Sequence, residues 1–339
     1  MAHTTPGTPG TTRSPAVAAD WALGPADAGA CERLARTLCA GEHDQVDDPE
    51  WVARARDGWE DLPLPLRRGV RRFRRHSGPH GTLVIGGLPV DPAALPATPS
   101  VPGSVQRRAT VPAAVLTMVA CGLGEPLAYR AEKSGALVQD VVPVPGQENF
   151  HGNAGSVPLS FHTENGFHPH PPDYVVFLCL RADHDRRAGM RVAGIRQALP
   201  LLTPASRQTL FAPEFITTPP PSFNPDATAS EPGVKPRPVL SGAVEDPDIR
   251  MAQLVTTPLT PRAAAALTEF GRACETTART LRLNPGDLVI IDNRVTVHGR
   301  TAFHPRYDGA DRWLQRTYVT TDLRRSRDHR PHDGHVLAR

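Results

Sequence analysis

Residues 159–180 read LSFHTENGFHPHPPDYVVFLCL, and their texture decides the fold. Short apolar runs are separated by Asn, Gly, His and Pro, which end strands and form turns. Residues 174–180 are almost wholly apolar, the pattern of a strand buried on both faces. The same texture spreads outward through ALVQDVVPV (136–144), MRVAG (190–194), GDLVIIDNRVTVHGR (286–300) and RWLQRTYVTTDL (312–323). Helical periodicity interrupts it near 195–202 and 261–282. The expected class is mainly β with flanking helices, a sandwich or barrel core.

Upstream the spacing is helical. Cys31, Leu34, Ala35 and Leu38 fall on one face. A second helix opens at Pro49 and must stop before Pro63, and a third carries Leu66, Val70 and Phe73. That third helix holds a basic run, RRGVRRFRR (67–75), read as a solvated face. Residues 82–90 form an apolar strand, and 112–124, opening on proline and closing on glycine, a helix. Residues 1–20, rich in Thr, Pro and Gly, are expected to be a disordered tail. The rest, 21–339, is expected to be one domain: a helical part over 21–130, a strand-rich core over 131–330, and a proline-rich, lid-like insertion over 219–239.

Composition narrows the function classes. The 339 residues carry 38 basic and 35 acidic side chains, so no global field for nucleic acid or a membrane surface is expected. No apolar run reaches spanning length, and the start of the chain shows no secretory pattern. Five scattered cysteines without CxxC spacing suit a reducing, cytoplasmic setting.

The chemistry concentrates in three places. His162 and Glu164 are two apart, so in a strand an imidazole and a carboxylate project together. His298, near the end of an apolar strand, completes a 2-His-1-carboxylate set, which suits Fe(II) and leaves coordination positions open. Arg312 and Arg316 are separated by an even number and face one way in a strand, where they suit capture of carboxylates. His151, His168 and His170 read as loop histidines, and Asp292 and Asn293 as turn residues.

The order H-T-E, then DYVVFLCLRADHDR (173–186), then 286–327 closely resembles clavaminate synthase and the related non-haem iron, 2-oxoglutarate-dependent hydroxylases of free amino acids. The resemblance covers about residues 139–330. It implies a double-stranded β-helix, or jelly roll, and iron held by His162, Glu164 and His298. It further implies Arg312 on the distal carboxylate of 2-oxoglutarate and Arg316 on the α-carboxylate of an amino-acid substrate. Asn165, just after the ligand pair, is a candidate substrate contact by its position, with a turn-forming role as the alternative. Fe(II), 2-oxoglutarate and O2 follow as cofactor and co-substrates, with succinate as co-product. Two departures stand out. Met190 occupies the place where the family often has a hydroxyl residue touching 2-oxoglutarate. The segment DPDIRMAQL (246–254) continues with Met251, Ala252 and Gln253, where arginine hydroxylases carry acids. A neutral polar side chain, such as a urea (citrulline) or an amide, is therefore expected over a cationic one. Hydroxylation of an unactivated C–H in specialised metabolism is the leading expectation. Oxidative cyclisation or desaturation, and a non-catalytic metal-binding barrel, are the alternatives.

Overall fold

The computed structural model describes residues 16–17, 19–41, 44–223 and 235–338. Helices α1 (Pro25–Cys39), α2 (Pro49–Asp61), α3 (Leu64–Arg75) and α4 (Val111–Leu123) form one layer. Their starts follow capping chemistry. Asp48 accepts the Glu50 N–H ahead of α2, Thr110 accepts the Ala113 N–H ahead of α4, and proline stands at the first or second position of each helix. Helix α4 is apolar on every side and almost wholly buried, because the other helices lie on one flank and a sheet on the other. In α3, Leu66, Val70 and Phe73 are buried while the arginines stay on the outer face.

The larger sheet runs, in spatial order, Val336–Leu337, Glu125–Tyr129, Trp313–Thr320, Tyr174–Arg181, Leu288–Asp292, Thr82–Gly86 and Trp21–Ala22, with Gln139–Val141 also pairing to Trp313–Thr320. The smaller sheet runs Ala16–Val17, Arg279–Leu281, Met190–Gly194, Thr296–Arg300 and Leu159–His162. The two sheets face each other. Val175, Phe177, Cys179, Leu314 and Tyr318 from the larger pack with Met190, Val192 and Leu281 from the smaller. Alternate residues of the same strands, Tyr174, Val176, Leu178, Trp313 and Val319, pack against α1–α4. That double burial explains the unbroken apolar run at 174–180. The short helix α5 (Ile195–Ala198), then α6 (Pro204–Leu210) and α7 (Pro261–Thr277), cover the outer face of the smaller sheet.

Several boundaries differ from expectation. The helical pattern over 261–282 stops at Thr277, and Arg279–Leu281 is a strand. The N-terminal part contributes more strands than the expected one, found at Thr82–Gly86, since Trp21–Ala22 and Glu125–Tyr129 also enter the larger sheet. The tail ends earlier than residue 20. Ala16–Val17 pair with the open edge at Arg279–Leu281, and the Asp20 carboxylate accepts the Val84 N–H at 2.8 Å. The expected insertion is described only at its ends, because 224–234 lie outside the described residues. No helix among the described residues is long and apolar enough to cross a membrane.

Candidate active site

Strand pairing brings the two histidines together. His298 on Thr296–Arg300 lies opposite His162 on Leu159–His162, and their ring centroids are 4.3 Å apart. Glu164 is not on that strand, which ends at His162, but in the turn that follows. It still reaches the histidines because the backbone between them stays paired: the Thr163 N–H donates to the Met251 carbonyl at 2.7 Å. The side chain of Asn293 then fixes the turn. Its oxygen accepts the Glu164 N–H at 2.7 Å, and its nitrogen donates to the carbonyls of Glu164 and Pro172 at 3.0 and 2.8 Å. Asn293 therefore does more than the local turn bonding expected of it.

The three side chains offer one ligand atom each, all within 4.8 Å of one another. Glu164 Oε2 lies 3.4 Å from His298 Nε2 and is buried without a hydrogen-bond partner. His162 Nδ1 sits 3.0 Å from the Ser160 carbonyl, which favours a proton there and leaves Nε2 free for a metal. Burial, reinforced by His298, pushes the His162 imidazole down to about 4, so it is neutral near pH 7. Burial works to raise the Glu164 carboxyl, but Arg316 and the two imidazoles outweigh it and hold the group well below the usual carboxylate range. Two imidazoles, one carboxylate and its orphaned oxygen make up a donor set that fits a divalent iron.

Arg316 occupies the next rung. Leu314, Arg316 and Tyr318 all point between the sheets, as the even spacing predicts. Its Nη1 lies 3.1 Å from Glu164 Oε1, and its Nη2 meets Glu132 and Gln139. With the Asn153 amide oxygen turned toward it, that oxygen accepts from both Nη atoms at 3.2 Å. The Tyr318 hydroxyl lies 2.9 Å from Glu132 Oε1 and 3.1 Å from Glu164 Oε1, so one proton can serve either carboxylate. Asn165, held at φ 48°, donates to Glu132 Oε2 at 3.3 Å. Glu132, Asn153 and Gln139 were not legible as site residues. Gln139 is brought there by its strand, which pairs in register with Arg316.

Arg312 also points inward and is buried, at 7% exposed. It forms no hydrogen bond or ion pair with any described residue, and burial lowers the pKa of its guanidinium. Its neighbours around a small void include Met190, Cys179 and Asp183, so the thioether expected near the co-substrate does sit beside this arginine. Asp183 is engaged elsewhere, accepting the Arg187 and Ala188 N–H groups.

A cavity of about 490 Å³ opens onto this constellation, lined by His162, Glu164, Asn165, Glu132 and Asn153 at its base and by Phe150, Phe223, Gln253 and Leu254 toward its mouth. Ala252 and Gln253 do line it, with Ala252 bridged to His162.

Comparison with known proteins agrees with the geometry. Residues 196–318 match the taurine catabolism dioxygenase TauD, TfdA family. The chain is 56% identical over 323 residues to the L-asparagine oxygenase of Streptomyces coelicolor, covering 95% of this chain and 96% of that protein. It is 36% identical over 267 residues to clavaminate synthase 2 of Streptomyces clavuligerus, covering 77% and 80%. A solved structure of asparagine oxygenase with Fe(II), 2S,3S-3-hydroxyasparagine and succinate superposes with a TM-score of 0.90 at 56% identity, covering 94% of this chain and 98% of that one. An inward-facing 2-His-1-carboxylate set between two sheets, two buried arginines behind it and relatives of this extent lead to one conclusion: the chain belongs to the clavaminate synthase-like family of Fe(II)/2-oxoglutarate-dependent amino-acid oxygenases.

Proposed function

We propose that this enzyme hydroxylates an unactivated C–H of a free L-amino acid whose side chain is neutral and polar, with a carboxamide or urea the best match. The observation that carries the reading is the charge inventory of the cavity. Its acidic lining residues are Glu132, Asp140 and Glu164. Glu132 and Glu164 are engaged with Arg316, and Asp140 accepts from Ser104 and from Trp313 Nε1 at 2.6 and 2.8 Å. Toward the mouth, the described lining residues Phe223 and Ala252–Leu254 offer no carboxylate to a cation. A guanidinium or ammonium side chain would be desolvated there without a counter-charge.

The residue roles follow from the same geometry. His162, Glu164 and His298 hold iron(II). When bound, iron(II) with 2-oxoglutarate and O2 supplies the oxidising power, and the balance is substrate plus 2-oxoglutarate plus O2 giving hydroxylated substrate, succinate and carbon dioxide. Arg312 receives the distal carboxylate of 2-oxoglutarate through a bidentate pair. Arg316 and Glu132 together present a cation and an anion to the α-carboxylate and α-ammonium of the substrate, with Asn165 and Asn153 orienting them. Phe223, packed 4.9 Å centroid to centroid on Phe167 at the cavity mouth, supports reading the described start of the insertion, residues 219–223, as part of its cover. Fixed positioning and exclusion of water are the protein's share of the catalysis. Two facing sheets with helices on both outer sides support the double-stranded β-helix reading of the core. Hydroxylation is favoured over cyclisation or desaturation because the similar asparagine oxygenase holds a hydroxylated product with succinate.

The test is a panel of L-asparagine, L-citrulline, L-glutamine and L-arginine, each with Fe(II), ascorbate and 2-oxoglutarate, read by mass and by succinate. A product one oxygen heavier is expected from the amide or urea substrates, and none from their methyl esters. L-arginine as the best substrate would refute the reading.

A further inference from the structure

Arg300 follows His298 by two residues on the same strand and is buried, at 4% exposed. Its Nη1 donates to the Gly152 carbonyl at 3.3 Å and its Nη2 to the Val157 carbonyl at 3.1 Å. Those carbonyls bracket the segment that carries Asn153, whose amide faces Arg316. On its other side Arg300 lies over Phe303, 5.3 Å from the ring centroid, and Arg312 lies 6.0 Å from the same centroid. Neither guanidinium forms an ion pair with a carboxylate among the described residues, and Arg300 Nε has no hydrogen-bond partner among them. Two buried cations around one ring, one held only by carbonyl dipoles and the other without a hydrogen bond to any described residue, are unfavourable until an anion arrives.

We infer that Arg300 is a positioning residue that links the two ends of the cavity: it adds positive charge beside Arg312 and holds the Gly152 and Val157 carbonyls so that Asn153 meets Arg316. The inference rests on Arg312 as the 2-oxoglutarate anchor. A carboxylate on Arg312 offsets the repulsion between the two guanidiniums. That stabilises Arg300 in its buried position and, through its fork of donors, the segment it grips. Binding of 2-oxoglutarate then tightens the substrate end before the amino acid enters, a coupling between two ligands through one side chain.

The test uses full-length protein with Fe(II), without oxygen. Binding of 2-oxoglutarate is read from the visible absorption of the iron chelate, and order in 148–157 from amide hydrogen exchange. In the unaltered protein, 2-oxoglutarate should raise protection in 148–157 by about threefold or more. In Arg300→Met that rise should vanish, 2-oxoglutarate should bind roughly fivefold more weakly, and the KM for the amino acid should rise about tenfold. Arg300→Lys should keep 2-oxoglutarate affinity within about twofold, because the charge remains, yet fail to restore protection, because an ammonium lacks the fork. Asn153→Ala should raise the amino-acid KM while leaving 2-oxoglutarate binding and the protection rise intact. Unchanged exchange in the unaltered protein on adding 2-oxoglutarate overturns the inference, as does normal 2-oxoglutarate binding in Arg300→Met. Should the Arg300 variants fail to fold, the exchange of the unaltered protein and Asn153→Ala still decide it. Undiminished 2-oxoglutarate binding in Arg312→Met would instead remove the anchor on which the inference stands.

Discussion

Replacing Arg312 with methionine separates a binding role from a structural one. The guanidinium is buried, has no hydrogen bond or ion pair with any described residue, and titrates lower because of that burial. Removing it leaves no orphaned carboxylate behind, since Asp183 is satisfied by two backbone N–H groups. The fold should therefore keep its stability to within about 1 kcal/mol, or gain a little from losing a desolvated charge. The effect on 2-oxoglutarate should be large. A hydrogen bond to a charged group contributes about 1.5–3 kcal/mol net. Losing that interaction should weaken 2-oxoglutarate binding roughly 12- to 150-fold. Arg312→Lys should recover only part of it, because an ammonium cannot match both carboxylate oxygens in one plane. The assays are anaerobic titration of 2-oxoglutarate, the KM for 2-oxoglutarate at saturating amino acid, and thermal melting of the metal-free protein. A KM within twofold of the unaltered enzyme refutes the anchor. So does a loss of stability of several kcal/mol, which would mean that Arg312 serves the core.

Arg316→Met should behave oppositely: it strands Glu132 and Glu164 in a buried place, so the metal-free fold should lose about 3–5 kcal/mol, and an unchanged melting temperature would contradict the described network. Asn293→Ala removes the bonds that fix the Glu164 turn and should weaken iron affinity about 10- to 100-fold, measured by equilibrium dialysis; full affinity would show that the turn holds itself. The metal-free protein should lose stability on acidification between pH 6.5 and about 4. There the unfolded His162 is protonated while the folded one, pushed down to about 4, is not, so the slope should be as much as about 1.4 kcal/mol per pH unit and should shrink in His162→Gln. A His162→Gln protein with the same slope would place the responsible group elsewhere.

Strand periodicity and a few residue types already carried the class of fold and the centre of the site. The run at 174–180 is apolar without alternation because each of its faces meets a hydrophobic layer, and that can be read from residues alone. Arg316 points inward with Leu314 and Tyr318 because the side-chain period of a strand is two, whereas Arg312 precedes the strand Trp313–Thr320, whose pairing shifts register between Trp313 and Leu314. How turn-borne groups are held in place was beyond such reasoning. Glu164 reaches the histidines through pairing with Met251 and through Asn293, which is 129 residues away in sequence. Glu132 meets Arg316 across 184 residues and has no periodic neighbour to betray it. The ends of elements moved for the same reason. Residues 279–281 continue a helical pattern, yet the open edge of Met190–Gly194 takes them as a strand. Local preference and periodicity act over a few residues, so they determine which segments are strands and which faces turn inward. Which buried charge meets which, and whether an arginine is satisfied or left waiting for an anion, depends on contacts between distant segments, and only the packed tertiary structure decides it.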